Sequence, residues 1–272
     1  MECPSVGFTS KFAPKNIERD GKPKISVAIV ETAKKDHIVT VHIRCKKSIE
    51  YGRKSPKIII FSQPNSTDLG YVLFLTNPDL IEICDFLKCD LVAYDYSGFG
   101  ASTGKISEKA LYANIEAVFK YVTNELNYQP QEVILMGFSM GTAMSIHMAS
   151  IEKELGCVIL IAPFTSLLRA ASRIPCCGRR VDSETTCCLD QFSSYDKASL
   201  MKARTLLCHG DLDTLVVRKH SEVLYKRLQN AVEPFYSLTC HTGIFSHTRT
   251  WIRIKRFINE EMRVNDAWAE IR

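Results

Sequence analysis

No stretch of the 272 residues approaches the roughly 18 consecutive apolar positions needed to cross a bilayer, and residues 1–19 lack the apolar run of a secretory signal. The expectation is a cytoplasmic chain with no membrane span. Dense basic blocks are also missing: 35 Lys and Arg against 30 Asp and Glu leave a net charge of +5 spread along the chain, which argues against a nucleic-acid partner. The 11 cysteines are an odd number, and Cys84, Cys157 and Cys208 lie in apolar contexts, so reduced thiols are expected rather than a disulfide framework. Asn65-Ser66-Thr67 has the form of a glycosylation sequon, which matters only in a secreted chain. There is no internal repeat.

With 46% of positions hydrophobic, the chain has enough apolar material for a substantial core in one globular domain. Residues 1–22 are polar, contain Pro4 and Pro14 and show no period, so they read as an irregular tail ahead of a domain over 23–272. Runs 25–31 and 38–45, separated by Lys34-Lys35-Asp36, read as a hairpin of edge strands. Short, nearly continuous apolar runs follow at 58–61, 91–94, 133–136, 158–162, 206–209 and 235–240. Such runs belong to strands covered on both faces, as in a parallel sheet between helices. Helices are expected at 81–87, 107–126, 140–154, 218–230 and 250–262. The pattern predicts an α/β chain with a mostly parallel eight-stranded sheet flanked by helices. Residues 163–202, too long for an ordinary connection, form a short insertion after the sixth strand, over the carboxyl edge of the sheet.

The chemistry-bearing motif is Gly137-Phe138-Ser139-Met140-Gly141, a G-x-S-x-G set between an apolar strand and a helical pattern. In the alpha/beta hydrolase fold this sequence makes a sharp turn that exposes the serine at the sheet edge, with the helix N-terminus beside the charge that develops. Ser139 is therefore the candidate nucleophile. It needs a base to take its proton and a carboxylate to orient that base, and on this fold they follow in the order acid, then histidine. Gly210-Asp211-Leu212-Asp213 offers two carboxylates; Asp213 is preferred, with Asp211 as turn residue or helix cap. His241, directly after the last apolar run, is the preferred base, and His247 is its alternative. His37, His42, His147, His209 and His220 read as ordinary surface or core residues. An oxyanion needs two backbone donors: the N–H of Met140 and, because Pro64 has none, that of Asn65. Residues 61–70 lack the glycines and lysine of a phosphate-binding loop.

These residues resemble the alpha/beta hydrolase domain-containing protein 17 family of serine depalmitoylases. The resemblance is carried by Phe61-Ser62 with Asn65 and Asp68-Leu69-Gly70, and by Tyr94-Asp95-Tyr96-Ser97-Gly98-Phe99-Gly100-Ala101-Ser102-Thr103-Gly104-Lys105. It continues through Leu111-Tyr112-Ala113-Asn114, the serine motif, Pro163-Phe164-Thr165-Ser166, Asp190-Gln191-Phe192 and His209-Gly210-Asp211-Leu212-Asp213, spanning about residues 57–258. It implies Ser139 as nucleophile, Asp213 as acid and His241 as base. The implied reaction is hydrolysis of the thioester that holds a palmitoyl chain on membrane-associated proteins, with no metal or organic cofactor. It also implies peripheral contact with the cytosolic face of the plasma or endosomal membrane. Gln63-Pro64 stands where the family has His-Gly, Leu238-Thr239-Cys240 replaces a glycine-rich approach to the base, and the family's N-terminal cysteine cluster is reduced to Cys3. Alternative readings are an esterase or lipase acting on a small lipid ester, or a catalytically impaired hydrolase-like scaffold.

The insertion carries Cys176-Cys177 and Cys187-Cys188 with Arg169, Arg173, Arg179 and Arg180. Vicinal pairs do not follow the spacing of zinc ligands, so a loop with free thiols is expected rather than a metal site.

Overall fold

The computed structural model describes residues 24–171, 181–184 and 186–270. A hairpin of β1 (Ile25–Glu31) and β2 (His37–Ile43) leads through α1 (Lys46–Glu50) to β3 (Ile58–Ser62), α2 (Leu69–Phe74), α3 (Leu80–Leu87) and β4 (Asp90–Tyr94). Next come α4 (Glu108–Lys120), β5 (Val133–Phe138), α5 (Met140–Ile151), β6 (Cys157–Ile161), α6 (Leu167–Ala170) and α7 (Ser194–Ala198). The chain ends with β7 (Arg204–Gly210), α8 (Lys219–Arg227), β8 (Phe235–Ser237), α9 (Gly243–Ser246), α10 (Thr248–Met262) and α11 (Val264–Glu270).

The sheet has eight strands in the order β1-β2-β4-β3-β5-β6-β7-β8. β1–β2 and β2–β4 are antiparallel and every later pairing is parallel. Side chains alternate across a strand, so both faces of the central strands need cover. Ile59, Phe61, Ile134, Met136 and Ile159 pack with Ile83 and Leu87 of α3 and with Trp251, Ile254 and Phe257 of α10. Ile58, Ile60, Leu135, Val158 and Leu207 pack on the other face with Leu111 and Ile115 of α4, Met144 of α5 and Leu224 of α8. This is the alpha/beta hydrolase architecture. β3 lies between β4 and β5, so the chain leaves it in one direction and returns on the other side. That reversal opens a crevice at the carboxyl ends of β3 and β5, where such sheets place their ligands.

Several expectations change. β2 is an interior strand: Val41 pairs with Val27 on one side and Ala93 on the other, and only β1 is exposed at this edge. The helix expected to run to residue 126 is α-helical to Lys120 and continues as a π-turn over Tyr121–Glu125. The 61–70 stretch is not all loop, because the Asp68 carboxylate accepts from Tyr71 N at 2.9 Å and starts α2. The last strand ends at Ser237 rather than 240. Beyond it, Asp211 N–H donates to Ser237 O and Leu212 N–H to Thr239 O, so the segment bends over the end of β7. The bend is close enough that a Cβ on Gly210 would lie 2.2 Å from Thr239 O. The insertion contributes α6 and α7; Thr165 O accepts from Tyr195 N–H and Gln191 O from Leu167 N–H. Cys187 and Cys188 are free, and no metal-binding cluster occurs among the described residues. Cys3, Cys176, Cys177, Arg173, Arg179, Arg180 and the expected tail lie outside the described residues.

Candidate active site

β5 and α5 meet at Ser139, whose backbone has φ 52° and ψ −117°. A non-glycine residue is held in so sparsely populated a conformation only when its surroundings fix it. Here Ser139 N–H donates to Ile161 O of β6 at 2.9 Å, and Thr142 N–H and Oγ1 both donate to Ser139 O. The next turn of α5 passes against the end of β3, where a Cβ on Gly141 would stand 1.9 Å from Ser62 O. Glycine is required there, and its closeness brings the start of α5 up to the loop after β3.

His241 arrives over the bent segment after β8. Its Nε2 is 2.9 Å from Ser139 Oγ and its Nδ1 is 2.6 Å from Asp213 Oδ2. With an ionised carboxylate on one side, Nδ1 carries the proton and Nε2 is left free to accept from the serine hydroxyl. The imidazole stacks on Phe138, with ring centroids 5.5 Å apart, and Phe138 in turn stacks on Phe245 of α9. Asp213 is buried at the end of β7, where its Oδ1 accepts from Leu215 N–H at 2.9 Å and Val216 N–H at 2.8 Å. Burial opposes ionisation of Asp213, but His209, His241 and the Val216 N–H outweigh it and hold the carboxyl well below its usual range. Serine, imidazole and carboxylate thus form one continuous hydrogen-bonded chain, the arrangement a serine nucleophile, its base and an orienting acid require.

The other candidates lie elsewhere. His247 sits at the N-cap of α10, facing the Phe235 ring; it does not line the cavity at Ser139 and makes no hydrogen bond to that residue. Asp211 Oδ1 accepts from Arg218 Nη1 at 2.8 Å and caps no helix. The N–H groups of Met140 and Asn65 make no hydrogen bond among the described residues, and Asn65 lines the same cavity as Ser139. The loop carrying Asn65 is braced from behind: Gln63 Nε2 and Leu69 N–H both donate to Asp95 Oδ1, at 3.2 and 2.8 Å, and Tyr96 OH donates to Gln63 O at 2.6 Å. Burial raises the Asp95 carboxyl above its ordinary range against these donors.

Sequence reasoning passed over His209, which is fully buried. Its Nε2–H donates to Val216 O at 2.7 Å and stands 3.3 Å from Asp213 Oδ2, while Ser221 Oγ–H donates to Nδ1 at 2.6 Å. His209 therefore fastens the turn whose N–H groups hold Asp213. Its position one residue before Gly210, at the carboxyl end of a strand, was the available signal.

Ser139 and His241 open on a cavity of ≈ 540 Å³ walled by Phe61, Val72, Leu75, Phe138 and Phe245, with Asn65, Ser66, Thr67, Asn77 and Ser246 among its polar lining. Such a space receives an apolar group whose reactive carbonyl lies beside Ser139.

The family model described as "Serine hydrolase (FSH1)" matches residues 93–243, and that described as "Chlamydia CHLPS protein (DUF818)" matches residues 23–156. The chain is 32% identical over 242 residues to human alpha/beta hydrolase domain-containing protein 17B, covering 89% of this chain and 77% of that one. It is 33% identical to mouse alpha/beta hydrolase domain-containing protein 17C, covering 88% and 69%. Among solved structures, the Pyrococcus furiosus esterase Pf2001 superposes with a TM-score of 0.69 at 18% identity, covering 88% of this chain and 93% of that one. Mouse alpha/beta hydrolase domain-containing protein 10 gives 0.61 at 16% identity, covering 88% and 98%. At these identities the two structures speak for the fold alone.

Proposed function

Because the chain belongs to the alpha/beta hydrolase domain-containing protein 17 family and is a serine hydrolase, we propose that it cleaves the thioester of S-palmitoylated, membrane-associated proteins. The observation that carries this reading is the hydrogen-bonded chain of 2.9 and 2.6 Å from Ser139 through His241 to Asp213 beside an apolar cavity. The motif resemblance supports the thioester as the bond and palmitate as the acyl group.

Ser139 Oγ attacks the thioester carbonyl as its proton passes to His241 Nε2, and Asp213 stabilises the imidazolium that results. The tetrahedral oxyanion is received by the Met140 and Asn65 N–H groups, with the N-terminus of α5 adding its dipole. Collapse breaks the C–S bond, and the departing sulfur takes the proton from His241. Water then attacks the acyl-serine ester, giving its proton to His241 Nε2, and expulsion of Ser139 releases the fatty acid as the serine regains a proton. No step calls for a metal or organic cofactor. The protein would meet its substrates at the cytosolic face of a membrane; among the described residues no helix is long and apolar enough to cross one.

The test is labelling of the purified protein with a fluorophosphonate, together with hydrolysis of a palmitoylated peptide and its oxyester analogue. Labelling and thioester cleavage in wild type, both lost in Ser139→Ala, are expected. Cleavage of the oxyester alone would replace the reading with a lipid esterase, and a folded sample that neither labels nor turns over would leave only a binding scaffold.

A further inference from the structure

The Ser139 cavity adjoins a second cavity of ≈ 340 Å³, and the residues that line both are Asn77 and Ser246. The second cavity lies between α3 and α10, lined by Ile83 and Phe86 on one side and Trp251 and Ile252 on the other. Pro78 forms part of it too. Its one acidic member, Glu82, has its carboxylate turned back to accept from Asp79 N–H in the capping box of α3. Beyond the polar Asn77–Ser246 junction the lining is mostly apolar, with Thr248 and Glu82 as the other polar members. Asn65, Ser66, Thr67, Val72, Leu75 and Phe245 line the first cavity with Ser139, and α3 and α10 wall the second. Leu75, Phe86 and Ile252 keep 66%, 39% and 55% of their surface exposed, apolar area that a ligand lying along this line would cover.

We propose that the acyl chain of the substrate runs from Ser139 across the Asn77–Ser246 junction into the α3–α10 cavity, so that the junction and Ile252 set chain-length preference. The proposal rests on the thioesterase reading and adds what that reading leaves open: where the chain lies and which residues measure it. A short acyl group occupies only the first cavity, whereas a long saturated chain reaches the second and gains from burial of each further methylene. Each methylene accommodated raises kcat/KM about four-fold, equivalent to about 0.8 kcal/mol.

The experiment compares kcat/KM for butyryl, octanoyl, dodecanoyl and palmitoyl thioesters, below their micellar concentrations, in wild type, Ser246→Trp and Ile252→Asp. Both substituted positions are exposed, so the new side chains enter the groove and not the core, and melting temperatures report folding. In wild type the specificity constant climbs past octanoyl. In each variant the palmitoyl-to-butyryl ratio falls at least ten-fold. A flat wild-type profile, or ratios that stay put in folded forms of both variants, overturns the proposal while leaving a serine hydrolase intact. If wild type cleaves oxyesters and no thioester, the thioesterase reading fails instead, and the same ratios measured with the oxyester series decide the groove.

Discussion

Replacing Asp213 with Asn removes a charge without changing the shape of the side chain, and the structure shows where the consequence falls. Oδ1 accepts from the N–H groups of Leu215 and Val216, so the amide must place its oxygen there. The opposite orientation would aim an NH2 at two backbone donors and leave both unsatisfied, at about 1–3 kcal/mol each. The amide nitrogen then occupies the place of Oδ2, 2.6 Å from His241 Nδ1, and donates to it. His241 must carry its proton on Nε2, which now presents an N–H to Ser139 and cannot take the hydroxyl proton. Loss of the orienting acid in this manner costs about 10⁴ in kcat, or about 5 kcal/mol of transition-state stabilisation. Steady-state thioester hydrolysis and the rate of fluorophosphonate labelling should fall together, with the native fold retained. Asp213→Asn should also flatten acid denaturation. The wild-type carboxyl is held below its usual range, so it contributes stability that is present above the ordinary carboxylate pKa and lost as pH falls beneath it. A loss of activity under ten-fold in a folded variant, or a larger loss for Asp211→Asn, would refute the assignment of the acid.

Two further perturbations probe separate parts of the site. His241→Ala should abolish turnover to within the limits of the assay, whereas His247→Ala, which alters a residue outside the catalytic cavity, should retain activity within about ten-fold; the reverse order in kcat would reassign the base. His220 is buried beside Thr165, whose N–H donates to Nδ1 at 3.2 Å. Burial first, then nearby His209 and Arg169 against the opposing Asp213, lowers His220 from 6.5 to about 4. Between those values the unfolded chain binds a proton that the folded chain refuses, so stability falls as pH falls through that window, by up to about 3 kcal/mol from this group. Denaturant titrations of wild type and His220→Gln from pH 7 to 4 should show a shallower decline in the variant, and parallel declines would count against it.

Much of the architecture could be read before any coordinates because local rules govern it. Strands buried on both faces require continuous apolar runs, as at 58–61 and 133–136, and the resulting sheet is the one observed. The serine motif declared its own geometry because the turn leaves no room for a side chain at Gly141. The short helices α2 and α9 were not legible, since single turns are held by tertiary contacts rather than by periodicity. The run at 235–240 suggested strand to its last residue, yet beyond Ser237 the chain leaves the sheet to cross Gly210.

From the sequence alone came the kinds of chemistry available and their order along the chain: a nucleophile after β5, an acid after β7, a histidine after β8. Which imidazole reaches a serine 102 residues away was decided by the bend after Ser237, a matter of long-range packing that no local pattern encodes. The same holds for His209 behind Asp213 and for the groove between α3 and α10. Each depends on side chains from distant segments meeting across the folded sheet, and a linear order specifies which residues exist but not which of them become neighbours.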